Sequence, residues 1–161
     1  MRILAISDTH GHEYFIPRIM DNHPEAETIF FLGDGLRGAI EIAEQNGKNW
    51  HFVRGNNDYG MSIDGDGCQI ADSGMEIVRN RRVFYTHGHI YSVKTDLERV
   101  INAARERGAD LLLFGHTHRP MVDYKDGLYI MNPGSLKYSG TYGIIDIISS
   151  GIAAHTARIP S

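Results

Sequence analysis

Short apolar runs, each followed closely by a polar motif, constrain the fold of this chain most strongly. The runs end near residues 6, 32, 53, 85 and 114, and the motifs that follow are DTHGH at 8–12, GDG at 33–35, GNND at 55–58, HGH at 87–89 and GHTHRP at 115–120. Uninterrupted apolar runs of this length are typical of strands buried on both faces of a sheet. Ligand sites in open α/β sheets form beyond the carboxyl ends of strands. The sequence therefore predicts an α/β fold that brings these motifs to one edge.

The first half of the chain alternates as strands and helices do in a parallel α/β unit. Strands are predicted at residues 2–7, 28–32 and 50–53, and helices at 13–22 and 36–46. Pro17 must lie in the first turn of the first helix or delay its start, because proline cannot donate a helical hydrogen bond. The second helix has one apolar face and ends at Gly47. This half reads as βαβαβ.

The second half is mostly strand. A short strand is predicted near residues 69–71, a hairpin at 75–78 and 83–86, a buried strand at 111–114, and a β-meander at 121–124, 128–131, 143–148 and 152–158. One helix is predicted at 95–107, with a capping box formed by Thr95 and Glu98 and with Gly108 at its end. The whole pattern predicts two packed β-sheets with helices outside.

Length and composition fit one globular domain. The chain has 161 residues, about the size of one domain, so residues 1–161 are assigned to a single domain. Its 42% apolar and 22% charged residues exclude wholesale disorder and a coiled coil. A formal net charge of −4 argues against a general nucleic-acid binder, which needs a basic face.

Cysteine usage and the apolar runs indicate the compartment. The single Cys68 excludes a disulfide framework or a cysteine-rich zinc site, and it fits a reducing compartment. The polar Asp8 and His10 come too early for a signal peptide, and no apolar stretch approaches the roughly 20 residues that cross a bilayer. We therefore expect a cytoplasmic protein with no membrane partner.

The polar motifs are weak signals one at a time and a strong signal together. A Gly-Asp-Gly alone is more often a turn, and a lone histidine at a strand end is usually a surface residue. Here carboxylate, imidazole and amide groups follow one strand after another. With the NPGS motif at 132–135, this series resembles the calcineurin-like metallophosphoesterase superfamily, and in particular its small single-domain phosphodiesterase branch.

The resemblance implies a four-layer α/β fold, with two mixed β-sheets sandwiched between helices, and a site for two metal ions. The resemblance assigns Asp8, His10 and His118 to one ion and Asn56, His87 and His116 to the other, with Asp34 as the bridge. It also implies hydrolysis of a phosphate diester by a hydroxide that bridges the metals. Manganese is the first expectation for both ions, with nickel, zinc, iron and cobalt as the alternatives.

The charges of this residue set agree with such chemistry. Two divalent ions would bring four positive charges, and the two carboxylates would cancel two of them. The remaining positive charge attracts a phosphate ester, and a metal can lower the pKa of bound water to about 7. Mixed nitrogen and oxygen ligands suit transition metals better than magnesium or calcium, which prefer oxygen ligands alone.

One position departs from the family pattern. Many members have a histidine after the asparagine of the Gly-Asn motif, where it can protonate the leaving group, but this chain has Asn57. Either His89, His12 or a metal-bound water supplies that proton, or the leaving group needs little help. Asp58 is expected to orient a ligand or its loop. Arg119 is a candidate for binding a phosphoryl oxygen, because its guanidinium offers a fork of donors.

Three alternatives to a phosphodiesterase stay open at the level of the sequence. A phosphomonoesterase and a nuclease are the nearest, although the absence of a basic groove counts against long nucleic acids. A retromer subunit has this fold with a degraded metal site, so a non-catalytic protein-interaction scaffold is the rival from another class. The complete set of ligand types favours an enzyme that acts on a small phosphate ester, with a homodimer or homotetramer as the candidate assembly.

Overall fold

Two five-stranded β-sheets pack face to face in the computed structural model, which describes residues 1–60 and 70–160. The strands are β1 (Arg2–Ile6), β2 (Ala26–Phe31), β3 (Asn49–Phe52), β4 (Ser73–Val78), β5 (Arg81–Thr86), β6 (Leu111–Phe114), β7 (Met121–Lys125), β8 (Leu128–Asn132), β9 (Thr141–Ile148) and β10 (Gly151–Arg158). The α-helices are α1 (Ile16–Asn22), α2 (Leu36–Ala43) and α3 (Glu98–Glu106). The strand order is β10-β9-β1-β2-β3 in the first sheet and β4-β5-β6-β8-β7 in the second.

Both sheets are mixed, as predicted. In the first sheet β1, β2 and β3 are parallel, β9 pairs antiparallel with β1, and β10 pairs antiparallel with β9 at the edge. In the second sheet β5, β6 and β8 are parallel, whereas the edge strands β4 and β7 are antiparallel to their neighbours. The βαβαβ reading of the first half is confirmed.

Side-chain alternation along the central strands produces four layers. On β1, Ile3 and Ala5 face the second sheet, where they join a core that includes Leu113. Leu4 of the same strand faces the opposite way and packs with α1 and α2. On the second sheet, Leu112 faces outward and packs against α3. The order is therefore helix, sheet, sheet, helix, with apolar cores between the layers.

The four C-terminal strands do not form the single meander that the sequence predicted. β8 lies parallel to β6 in the second sheet, and β9 pairs with β1 in the first. The reason is that β9 is apolar on both faces: Ile145 packs between the sheets, and Ile144 packs beneath the helices. A strand with two buried faces belongs inside a sheet.

The start of α3 also differs from the prediction. The helix begins at Glu98, and its N-cap residue Leu97 makes no side-chain capping bond, so the predicted capping box of Thr95 and Glu98 is wrong. The backbone N–H of Thr95 donates instead to the carbonyl of Ser92, which places Thr95 in a preceding turn. The carboxylate of Asp96 accepts the N–H of Glu98 at 3.0 Å. The Asp96 carboxylate therefore takes the place of the Thr95 hydroxyl as the hydrogen-bond acceptor at the start of α3.

Smaller differences concern element ends. Residues 13–15 form a 3-10 turn before α1, with Pro17 in the first turn of that helix, and α2 ends at Ala43, three residues early. Of the short strand predicted at 69–71, Gln69 lies outside the described residues, and Ile70 and Ala71 are not in a strand. Among the described helices, none combines the length and the hydropathy of a membrane-spanning segment.

Two neighbouring isoleucines on β9 test the assignment of the inner face. Ile147 is 6% exposed and Ile148 is 50% exposed. We expect Ile147→Ala to lower the free energy of unfolding by about 2–5 kcal/mol, because it removes buried methyl groups and leaves a cavity. Ile148→Ala serves as the matched control and should cost less than about 1 kcal/mol. Urea denaturation measures both, and equal losses would contradict the assignment.

Candidate metal centre

The polar motifs meet at one edge of the two sheets, as the sequence predicted. The backbone N–H of Asp8 donates to Gly33 at 3.0 Å, which joins the loops after β1 and β2. The imidazole Nδ1 of His87 lies 2.6 Å from the carbonyl of Leu32, which joins the second sheet to the first. The N–H of His116 donates to the carboxylate of Asp8 at 3.0 Å. All seven predicted ligands therefore belong to one cluster.

The backbone is unusual at five of these seven positions. The φ angles are positive at Asp8 (53°), His10 (44°), Asp34 (61°), His116 (67°) and His118 (59°). Residues other than glycine seldom adopt this left-handed conformation. Such conformations persist where the surrounding structure imposes them, and they concentrate at functional sites. The loops are thus shaped to aim side chains inward at a cost in local backbone energy.

A first ligand group surrounds a buried carboxylate oxygen that has no hydrogen-bond partner. Asp8 is fully buried, and its Oδ2 accepts bonds from the Ser7 hydroxyl and from the His116 N–H. Its Oδ1 accepts none. That oxygen lies 3.1 Å from Nε2 of His118 and 3.8 Å from Nε2 of His10. An unpaired buried carboxylate oxygen facing imidazole nitrogens fits a divalent cation.

A second group lies around His87. Its Nε2 is 3.1 Å from Oδ1 of Asn56 and 3.2 Å from Nδ1 of His116. Nδ1 of His87 donates to the Leu32 carbonyl, which leaves Nε2 as the nitrogen that faces this group. A fixed tautomer of this kind is typical of metal-ligating histidines.

Asp34 lies between the two groups. Its Oδ2 is 3.7 Å from Nε2 of His10 and 3.5 Å from Nε2 of His87. Two bonds from Asn57 hold the carboxylate: the backbone N–H donates to Oδ1 at 2.8 Å, and the side-chain amide donates to Oδ2 at 2.6 Å. This is the place where a bridging ligand would lie.

Burial shifts the ionisation of the cluster. It raises the pKa of Asp8 to about 6, and it is the main cause that lowers the pKa of His116 to about 4. Burial also lowers the pKa of His118. For Asp34 burial acts to raise the pKa, but His87 and the bonds from Asn57 outweigh it, so that pKa is lowered. Neutral imidazoles and a carboxylate that costs free energy to ionise are the state that a cation would stabilise.

Asp58 organises the loops beneath the cluster. Its two carboxylate oxygens accept the backbone N–H groups of Asp34, Gly35, Leu36 and Gly55, all at 2.8–3.0 Å. It therefore orients the loop that carries Asp34, and it also caps the N-terminus of α2. This second role was not predicted; it is needed because Gly35 at the N-cap position has no side chain to cap the helix.

The NPGS motif ties the two central loops together. The Asn132 amide donates to the Gly115 carbonyl at 2.9 Å and to the Thr117 hydroxyl at 3.0 Å. The Ser135 hydroxyl donates to the Asp8 carbonyl at 2.7 Å. These contacts are made by the side chains of Asn132 and Ser135. The motif fixes the two loops that carry four predicted ligands, Asp8, His10, His116 and His118.

Tyr138 is a neighbour of the cluster that the sequence analysis missed. Its ring stacks on His118 with centroids 4.8 Å apart and an interplanar angle of 12°. The same ring meets the edge of His10 at 5.5 Å. The residue is 60% exposed, so it covers the ligands from the solvent side. No local pattern marks this tyrosine, because its partners lie 20 and 128 positions away in the chain.

The candidate catalytic residues occupy different environments. Asn57 directs its amide to Asp34, and the ring of His89 lies 5.4 Å from His87, with its buried Nδ1 unpaired. The ring of His12 packs instead against Tyr14 at 5.6 Å. Arg119 is exposed and lines a neighbouring cavity.

Comparison with known proteins identifies the family. The sequence profile of the calcineurin-like phosphoesterase superfamily domain matches residues 1–150. The chain belongs to this superfamily. Over 138 residues the chain is 31% identical to the probable metallophosphoesterase YsnB of Bacillus subtilis strain 168, covering 85% of this chain and 76% of that protein.

Two solved structures show the same fold. An archaeal phosphodiesterase is 26% identical to this phosphoesterase, with a TM-score of 0.76 over 98% of this chain and 100% of the other. Vps29 of Entamoeba histolytica, in a structure with Zn²⁺, is 20% identical, with a TM-score of 0.73 over 99% of this chain and 100% of the other. The likeness to Vps29 establishes the fold alone.

The buried charge of Asp8 predicts an unusual stabilising substitution. We expect metal-free Asp8→Asn protein to be more stable than metal-free wild type near pH 7.5, by about 3 kcal/mol. The reason is that burial raises the pKa of Asp8 from 3.8 to about 6, so ionising it in the folded state costs free energy. Urea denaturation in the presence of a chelator measures the difference.

The stability difference between Asp8→Asn and wild type should depend on pH in a definite direction. The folded-state pKa lies above the unfolded one, so the wild-type penalty is absent below about pH 4 and complete above about pH 6. The advantage of Asp8→Asn should therefore grow as pH rises through this window. Asp21→Asn, at an exposed site, is the control and should show no such trend. Equal stability of Asp8→Asn and wild type at the higher pH would contradict a buried Asp8 charge.

Proposed function

We propose that this chain is a metal-dependent phosphodiesterase that hydrolyses small phosphate diesters. The observation that carries the proposal is the unpaired, fully buried Oδ1 of Asp8, which faces the imidazoles of His10 and His118. Superfamily membership supports phosphoester hydrolysis, and the archaeal relative that is named a phosphodiesterase supports a diester.

We assign the ligands of two divalent ions as the sequence analysis did. Asp8, His10 and His118 would hold one ion; Asn56, His87 and His116 would hold the other; and Asp34 would serve both. When bound, the ions would supply positive charge for the phosphoryl group and would acidify the attacking water. Manganese is the proposed metal on the strength of the superfamily resemblance, and the mixed nitrogen and oxygen donors suit nickel, zinc, iron and cobalt as well.

The protein's own groups prepare this site before any ligand arrives. The lowered pKa values of His116 and His118 keep both imidazoles neutral at physiological pH, so neither must lose a proton to bind a cation. Asn57 holds Asp34 in place through two hydrogen bonds. The net effect is a preorganised pocket of two negative charges surrounded by neutral donors.

The environment of Asn57 determines whether this residue can protonate the leaving group. Its side-chain amide is engaged by Asp34 and has no proton to give at ordinary pH. We therefore propose that the enzyme acts on diesters whose leaving group departs without strong protonation. His89 is the remaining imidazole beside the cluster, with its ring 6.2 Å from that of His116, and it is the alternative donor.

A non-catalytic scaffold is the second candidate, and the shared fold of Vps29 is the observation behind it. The set of ligand-type side chains distinguishes an enzyme from a scaffold. A scaffold has no need of seven ligand-type side chains gathered at one edge, five of them on strained backbone. An inactive protein that still binds two metal ions would favour the scaffold.

The first test compares an aryl diester with the corresponding monoester. Chelated protein should be inactive on bis(p-nitrophenyl) phosphate and should recover with added manganese, nickel or zinc more than with magnesium. Cleavage of p-nitrophenyl phosphate should be slower. We expect His116→Ala to lower kcat/KM for the diester on the order of 100-fold, because one ligand of the second ion is lost.

The control for that test is another histidine. His155 lies on β10 with an exposed side chain, away from the cluster, so His155→Ala should retain wild-type activity. No hydrolysis of either ester with any metal, in protein that binds two ions, would contradict the proposed function. Equal loss in both variants would point to a general effect of removing imidazole.

Leaving-group dependence tests the interpretation of Asn57. General acid catalysis contributes about 10²–10⁴-fold in enzymes that have it. Lacking it, the protein should hydrolyse a diester with a phenoxide leaving group at least about 100-fold more slowly than one with p-nitrophenoxide. The measurement is kcat/KM over a series of aryl leaving groups. A flat series in wild type that becomes steep in His89→Ala would identify His89 as the proton donor and contradict the prediction.

A further inference from the structure

A cavity of about 630 Å³ lies beside the metal centre on the outer side of the second sheet. Two segments form it. One is residues 93–97, and the other runs from the end of β6 to the start of β7. Its wall includes the buried apolar side chains of Val93 and Phe114. Lys94 and Arg119 also line it, and both are exposed. We name it the Lys94–Arg119 cavity.

This cavity adjoins the metal centre. Its lining residue Thr117 stands between His116 and His118 in the chain. Lys94 and Arg119 line the same cavity as Thr117. A substrate bound at the cluster has this cavity within reach.

The side chains that line the cavity carry a net positive charge, whereas the whole chain carries a net negative charge. The chain has a net charge of −4, yet two of the three charged side chains that line the cavity are cationic. The third, Asp96, uses its Oδ1 to accept the backbone N–H of Glu98. Among the described residues, no carboxylate lies in salt-bridge distance of Lys94 or Arg119. Both cationic groups are available to an anionic ligand.

We propose that the Lys94–Arg119 cavity binds the ester substituent that stays on phosphorus, and that it selects an organic group carrying its own negative charge. The proposal rests on the proposed function and specifies the substrate class of that same site. The apolar wall would pack against the body of the substituent. The two cations would form charge-assisted hydrogen bonds with its anionic end. Lys94 and Arg119 are then specificity-determining residues.

The test uses two diesters that share a p-nitrophenyl leaving group and differ in the other substituent. One carries a phenyl group and the other a 4-carboxyphenyl group. Wild type should prefer the carboxylated diester about tenfold in kcat/KM, mainly through a lower KM. Lys94→Gln and Arg119→Gln should each reduce this preference about threefold to fivefold, and the double variant should abolish it. The control is Lys125→Gln, at the exposed far end of β7, which should keep the wild-type preference and activity.

Two results would overturn the proposal. One is an equal kcat/KM for both diesters in wild type. The other is a loss of activity in Lys94→Gln and Arg119→Gln by the same factor on both diesters, which would place these cations on the phosphoryl group.

A binding measurement separates this proposal from the proposed function. If neither diester is hydrolysed with any metal, the proposed function fails, and calorimetry with 4-carboxyphenyl phosphate and phenyl phosphate then tests the cavity alone. Tighter binding of the carboxylated compound, lost in Lys94→Gln, would support the cavity as an anion-selective site. Equal binding of the two compounds would overturn it.

Discussion

A fully buried carboxylate at the end of a central strand governs the arrangement of this protein. Burying an ionised carboxylate costs free energy unless it is paired, and only one oxygen of Asp8 is paired by protein donors. The other oxygen faces imidazole nitrogens from His10 and His118. This arrangement is the physical basis of the proposal that a cation from outside completes the cluster. The loop conformations around the cluster serve to hold these side chains together.

Holding such a cavity open requires loops that approach one another very closely. A Cβ atom on Gly115 would lie 2.0 Å from the Ser7 hydroxyl, and one on Gly55 would lie 2.1 Å from a carboxylate oxygen of Asp34. No side chain fits at either place, which explains the glycine beside the ligand in each motif. Asp58 and Asn132 then lock the loops from beneath with bonds to backbone groups. The strain at the ligand positions is supported by this framework, in keeping with functional sites in general.

The sequence predicted the parts of the structure that depend on local pattern. Fully apolar runs identified the central strands, because both of their faces are buried, and β6 at Leu111–Phe114 matched the prediction at both ends. The seven proposed ligands were assigned through the resemblance to the superfamily, on motifs that come shortly after predicted strands, and that assignment stays a prediction. What failed depended on contacts distant in sequence. The sheet to which β9 belongs is decided by pairing with β1, and Tyr138 reaches His118 and His10 only after the loops have assembled. The capping box failed for a local reason, since Asp96 competes with Thr95 for the start of α3.

Locating the metal ions themselves is the most direct test of the claim that this edge of the sheets is a two-metal site. Anomalous diffraction from crystals grown with manganese, recorded on both sides of its absorption edge, would show where the ions lie. We predict two peaks, one contacting Asp8, His10 and His118 and the other contacting Asn56, His87 and His116, with Asp34 touching both. A single peak, or two peaks away from these residues, would contradict the claim.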